Sequence, residues 1–98
     1  MAYPNLQYHF GPLGFEMRGG RIEVNQAVSL NVDHSGPRSR GHIALDADSP
    51  ALAPRLHFNY LQDSDDLREI VEGGAKAREL VAQPAFNEFR GAEMIPGA

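Results

Sequence analysis

The chain has 98 residues, no cysteine and a formal net charge of −4, and 42% of its residues are hydrophobic. This length fits one domain at most, with a single small core. The lack of cysteine excludes disulfides, thiolate catalysis and Cys-based zinc sites. The acidic balance argues against a nucleic-acid binder, because proteins that track phosphates concentrate Lys and Arg.

Membrane and export signals are missing from the printed sequence. No apolar run approaches the roughly 20 residues that a transmembrane helix needs. The first ten residues lack the charged leader and apolar stretch of a secretory signal. We therefore expect a cytoplasmic chain without a membrane segment.

Two segments alternate apolar and polar residues with the period of a half-buried strand, at about 5–11 and 27–34. A third, shorter strand is predicted at about 41–46. The segment 11–20 is rich in glycine and predicts a loop or tight reversal. The apolar faces of the first two strands carry Leu6, Tyr8, Phe10, Val28, Leu30 and Val32.

The period then changes to that of a helix at about 65–82, after a long proline-rich connector. Asp63, Ser64, Asp65 and Asp66 predict an N-cap and a favourable negative charge at the helix start. Pro84 ends the helix and opens a short second one at about 84–89. The predicted apolar stripe contains Leu67, Ile70, Val71, Gly74, Ala77 and Val81.

Gly73 and Gly74 lie in the middle of this helix, where each glycine costs about 0.5–1 kcal/mol relative to alanine. The pair predicts a close approach of another backbone, and tolerated glycines on a marginal helix are the alternative. The resulting fold class is α+β, with an antiparallel sheet segment of about three strands, a long connector and a covering helix. The predicted sheet has two unpaired edge strands, and natural sheets normally cover such edges. We therefore expect the polypeptide that covers them to lie outside this chain.

A search for chemistry finds no self-contained site. The glycines do not form a dinucleotide or P-loop motif, and the four histidines lack metal-binding spacing. We therefore assign no catalytic, cofactor-binding or metal residue to this chain. The outward-facing polar residues of the first two strands form either a floor for a polar substrate or a solvated outer face. The substrate-lining candidates are Gln7, His9, Asn31 and Asp33.

The order and spacing of several motifs resemble the C-terminal region of glucose–methanol–choline (GMC) oxidoreductases, particularly the choline-dehydrogenase-like branch. The resemblance covers nearly the whole chain. It rests on Pro37, Ser39 and Gly41 around a short strand, on Pro54, Leu56, Asn59 and Tyr60 in the connector, on the acidic helix start, on Gln83 to Phe86, and on Phe89 to Gly97.

This resemblance implies that residues 1–98 are part of the substrate domain of an FAD-dependent alcohol oxidoreductase. The family's FAD-binding glycine loop lies upstream of this region and its catalytic histidine lies downstream. FAD would belong to the intact enzyme and not to this chain alone. The implied partners are the FAD-binding remainder of the enzyme and a small alcohol. An independent, non-catalytic binding or interaction module with the same fold is the alternative.

Overall fold

Three antiparallel strand pairs and one long helix make up the chain in the computed structural model, which describes residues 3–49 and 51–97. Met1, Ala2, Pro50 and Ala98, which fall inside the predicted 1–98 segment, lie outside the described residues. The elements are β1 (Leu6–Gly11), β2 (Gly14–Arg18), β3 (Arg21–Asn25), β4 (Ser29–His34), β5 (His42–Ala44), β6 (Arg55–His57), α1 (Ser64–Val81) and a 3₁₀ turn (Pro84–Phe86).

The α+β class with antiparallel strands is confirmed. The pairs are β1 with β4, β2 with β3, and β5 with β6, so the described strands form three two-stranded units instead of one three-stranded segment. The pairing is nested, because the β2–β3 hairpin is inserted between β1 and its partner β4. The 3₁₀ turn is shorter than the predicted second helix.

Helix α1 packs against one face of the β1–β4 pair. Tyr8 and Val32 are direct neighbours across the two strands and both lie on this covered face. The Tyr8 hydroxyl donates a hydrogen bond of 3.0 Å to the carbonyl oxygen of Gly73 in the middle of the helix. Gly73 is buried, but the groups that approach it most closely are the side chains of Val32 and Leu6 and not the backbone that the glycine pair predicted. Phe10 continues the contact by packing its ring 6.2 Å from that of Phe86.

The predicted helix stripe is partly wrong. Leu67 and Val71 are 48% and 62% exposed, so they do not face the strands. The covered side of the helix is rotated toward Asp66, Glu69 and Gly73. Two acidic residues replace apolar ones on this side because they bind polar partners on the strand and the loop, as described below.

The segment 11–20, predicted as a loop or a tight reversal, contains a tight reversal, and most of it belongs to the β2–β3 hairpin. Gly19 and Gly20 form its turn with φ angles of 57° and 77°. Positive φ at both central residues is the geometry of the two-residue hairpin turn that matches the strand twist. The flanking glycines at 11 and 14 concealed the alternation of the two strands.

The connector between β5 and α1 contains the short strand β6 and two residues with positive φ, Asn59 at 52° and Leu61 at 58°. The rings of Phe58 and Tyr60 stack on each other with centroids 5.3 Å apart. They are 57% and 73% exposed, so the described residues do not bury these two rings.

The described residues do not form a buried apolar core. Its radius of gyration is 18.1 Å, whereas a compact domain of this length has about 13 Å. Within 3–49 and 51–97 no apolar side chain is fully buried. The helix and the strands therefore stabilise one another through only a few partly buried contacts. Most of the large apolar side chains remain exposed and available for other contacts.

The two adjacent helix glycines provide a matched test of the packing. A Cβ atom at position 73 would lie 2.8 Å from Val32 Cγ2 and 3.0 Å from Leu6 Cδ1. Overpacking of this kind costs about 1–3 kcal/mol, so Gly73→Ala should lower the free energy of unfolding. Urea unfolding followed by circular dichroism measures the change.

Gly74→Ala is the control, because a Cβ atom at this position meets nothing within 4 Å. Only the helix propensity changes, and the variant should be more stable by about 0.5–1 kcal/mol. Equal effects of the two substitutions would contradict the packing of α1 on the β1–β4 pair.

Candidate functional site

The β1–β4 pair brings the four candidate residues together on the side away from the helix. Gln7 lies directly opposite Asp33, and His9 lies directly opposite Asn31. All four are exposed. We call this set, Gln7, His9, Asn31 and Asp33, the polar face. Helix α1 occupies the opposite side of the same two strands, so nothing among the described residues covers the polar face.

A histidine–carboxylate pair dominates the chemistry of the polar face. His9 Nε2 lies 3.0 Å from Asp33 Oδ2, with 53% and 60% of the two side chains exposed. An imidazole that donates from Nε2 keeps an acceptor at Nδ1. The amides of Gln7 and Asn31 add donors and acceptors on either side. The face can therefore orient a hydroxyl group and accept a hydrogen bond from it.

A second polar group, which we call the anchor cluster, consists of His34, Asp66 and Glu69 and holds the helix start. Asp66 is 1% exposed. Its carboxylate accepts hydrogen bonds from the backbone N–H groups of Arg38 and Ser39 at 2.8 and 2.7 Å. Burial alone would raise the pKa of Asp66, but these hydrogen bonds and the nearby His34 outweigh it and lower the pKa to about 2.

His34 connects strand β4 to the helix. Its Nε2 lies 2.7 Å from Glu69 Oε2, and only 10% of the imidazole side chain is exposed. The hydrogen bond with His34, followed by one from Asn5, lowers the pKa of Glu69. His34 Nδ1 lies 3.8 Å from Asp66 Oδ1 and has no hydrogen-bond partner in the described part of the chain.

Sequence reasoning assigned the acidic run to helix capping and missed the anchor cluster. Asp63 is the N-cap, as expected, and accepts a hydrogen bond of 2.8 Å from the backbone N–H of Asp65. Asp66 instead reaches the loop after β4. The acidic run alone could not separate these roles, because the loop lies 27 residues away in sequence.

The chain does not fit the pyrophosphate of a dinucleotide cofactor. Such a group binds at a helix N-terminus with free N–H groups and no negative charge, whereas α1 starts with Asp65 and Asp66 in its first turn. The residues described also contain no group of three or more side chains that could hold a metal ion. Among those residues no helix is both long and apolar enough to cross a bilayer.

Comparisons with known proteins identify the family. A family model described as GMC oxidoreductase matches residues 37–98. The chain is 37% identical over 95 residues to an oxygen-dependent choline dehydrogenase of Chromohalobacter salexigens, an alignment that covers 97% of this chain and 17% of the relative. The chain belongs to the GMC oxidoreductase family. The choline-dehydrogenase-like character expected from the sequence is thereby confirmed.

Other GMC relatives agree. The oxygen-dependent choline dehydrogenases of Klebsiella pneumoniae and Paraburkholderia phytofirmans are 33% and 35% identical over 96 residues, each alignment covering 98% of this chain and 17% of the relative. The chain thus spans about one sixth of the length of the GMC oxidoreductases that it matches.

The anchor cluster predicts an acid-dependent loss of stability. A carboxyl group whose pKa is depressed in the folded state stabilises the fold above its ordinary pKa, here 3.8, and loses this effect as the pH falls toward the folded value of about 2. Asp66→Asn should therefore lower the urea midpoint at pH 7, because an amide cannot accept both N–H groups. The difference from the parent protein should shrink between about pH 4 and pH 2.

Asp48→Asn is the matched control, since Asp48 is an exposed turn residue far from the helix in sequence. It should leave the urea midpoint unchanged at both pH values. A loss of stability in Asp66→Asn that is independent of pH would show that the ionised carboxylate is not what holds the helix.

Proposed function

We propose that this chain is part of the substrate domain of an FAD-dependent oxidoreductase that transfers a hydride from an alcohol CH–OH group to flavin. Membership of the GMC family supports the oxidoreductase class. The FAD-binding and catalytic segments belong to sequence outside this chain, in line with the acidic start of α1. The partners are that remainder of the enzyme and a small alcohol, and the location is cytoplasmic.

The proposal rests mainly on one observation: only one side of the β1–β4 pair is covered. The helix closes the apolar side, and the polar face stays open with the His9–Asp33 pair at its centre. In a larger enzyme this face lines the substrate cavity.

Each residue of the polar face has a binding role in this proposal. Asp33 orients the imidazole of His9, and His9 Nδ1 accepts a hydrogen bond from the hydroxyl group of the alcohol. Gln7 and Asn31 flank the pair and supply amide groups to the rest of the substrate. None of the four is a catalytic residue, because the resemblance implies a catalytic histidine downstream of this chain.

The test is His9→Gln in the full-length flavoprotein that contains this segment. Loss of one neutral hydrogen bond to the substrate, worth about 0.5–1.5 kcal/mol, corresponds to a roughly 2- to 10-fold lower kcat/KM for the alcohol. Steady-state kinetics with a series of small alcohols measures it. Flavin content, read from visible absorbance, should not change.

His42→Gln is the matched control. His42 is an exposed strand histidine on the β5–β6 pair, stacked on His57 at 4.3 Å and not part of the polar face. It should retain the parent kcat/KM. If both variants keep it, the polar face does not line the cavity, although the oxidoreductase assignment stands.

The alternative function, an independent non-catalytic binding or interaction module, has its own measurement. Intact-mass spectrometry and a visible spectrum of protein purified from its source show either a larger polypeptide with flavin bands or a colourless 98-residue species. The colourless species would reject the enzymatic proposal and establish the module.

A further inference from the structure

We propose that the apolar face of the β2–β3 hairpin is the surface on which the rest of the flavoenzyme docks. This inference rests on the proposed function, because it places the partner polypeptide on a defined part of the chain. We call the surface the hairpin apolar face, and it consists of Phe15, Met17, Ile22 and Val24.

The strand register places these four side chains together. Phe15 lies opposite Val24, and Met17 lies opposite Ile22, so two non-polar cross-strand pairs stack along one side of the hairpin. Phe15 is 58% exposed and each of the other three is 68% exposed. An isolated two-stranded hairpin is marginal in water, and this one keeps its largest apolar groups uncovered.

The other side of the hairpin carries charged residues. Glu16 lies opposite Glu23, and Arg18 lies opposite Arg21. Arg18 reaches both acids, with nitrogen–oxygen distances of 3.3 Å to Glu16 and 3.6 Å to Glu23. Charges of both signs occupy this side and apolar groups occupy the opposite one, so the hairpin is amphipathic and burial of its apolar face removes non-polar surface from water.

The hairpin apolar face is too small to favour binding of a second copy of this chain. Two five-residue strands offer a patch about 17 Å long and two strands wide, which is well below the roughly 800 Å² per partner of a stable complex. Contacts within one polypeptide need no such area, since the docking segments are held at high effective concentration.

Length and charge favour the remaining polypeptide as the occupant. The curated relatives align with nearly all of this chain but keep more than four fifths of their sequence outside the alignment. A lipid surface is disfavoured, because the hairpin's two acids and two arginines cancel and the chain carries a net charge of −4, which anionic bilayers repel. The partner surface is therefore apolar protein from the flavin-bearing remainder.

The experiment places Met17→Lys and Ile22→Lys in two settings, the 98-residue chain and the full-length flavoprotein that contains it. In the short chain both variants should keep the parent's urea midpoint and elution volume, because the face touches nothing there. In the flavoprotein each should lower the melting temperature by at least about 4 °C and promote flavin loss.

Glu23→Lys is the matched control, because Glu23 is an exposed strand neighbour of Ile22 on the charged side, where a lysine would face Glu16. It should leave the urea midpoint of the short chain and the melting temperature of the flavoprotein unchanged. A flavoprotein that tolerates Met17→Lys and Ile22→Lys as well as Glu23→Lys would overturn the proposal. A changed elution volume of the short chain would overturn it too, by making a second copy the occupant.

Met17 also reports on docking without any substitution. Methionine oxidation by hydrogen peroxide follows exposure, so Met17 should oxidise roughly tenfold more slowly in the flavoprotein than in the short chain. Equal rates would overturn the proposal even if the lysine variants fail to fold. A full-length protein that protects Met17 but binds no flavin would reject the proposed function and leave the docking surface in place.

Discussion

The structure depends on one buried carboxylate. Asp66 at the start of α1 accepts two backbone N–H groups from the loop after β4, and it does so with 1% of its surface exposed. A buried charge is tolerated only when its lone pairs are occupied, so the loop and the helix must meet in this one arrangement. His34 and Glu69 add a second connection from β4 to the same turn of the helix. The helix is thereby held on one side of the β1–β4 pair, and the polar face is left open on the other.

The sequence predicted the parts of the chain that follow a simple period. Alternation in β1 and β4 placed Gln7 and His9 on a shared polar face with Asn31 and Asp33, and the structure brings them together. The rotation of α1 could not be predicted, because the acids on its covered side bind distant partners that no local pattern identifies. The β2–β3 hairpin was missed because its glycine turn and flanking glycines resemble a loop, although Gly19 and Gly20 are what allow its tight turn.

The chain aligns with only a small part of each GMC relative. The GMC relatives are about six times as long as the segment that they share with this chain. The described residues supply a polar wall, a covering helix and several uncovered apolar surfaces. They supply neither a phosphate-binding loop nor a metal-binding cluster within 3–49 and 51–97. Most of the large apolar side chains among these residues stay exposed.

The nested order of the strands has a consequence for how the segment folds. The last pair of β1 and β4, Gly11 with Ser29, joins residues far apart in sequence, and closing that loop directly is entropically costly. The β2–β3 hairpin needs only a two-residue turn and can form within microseconds. Once formed, it holds Gly14 beside Asn25, so that only short links remain to be closed between the hairpin and the β1–β4 pair. The nested order of the strands therefore lowers the chain-entropy cost of bringing β1 and β4 together.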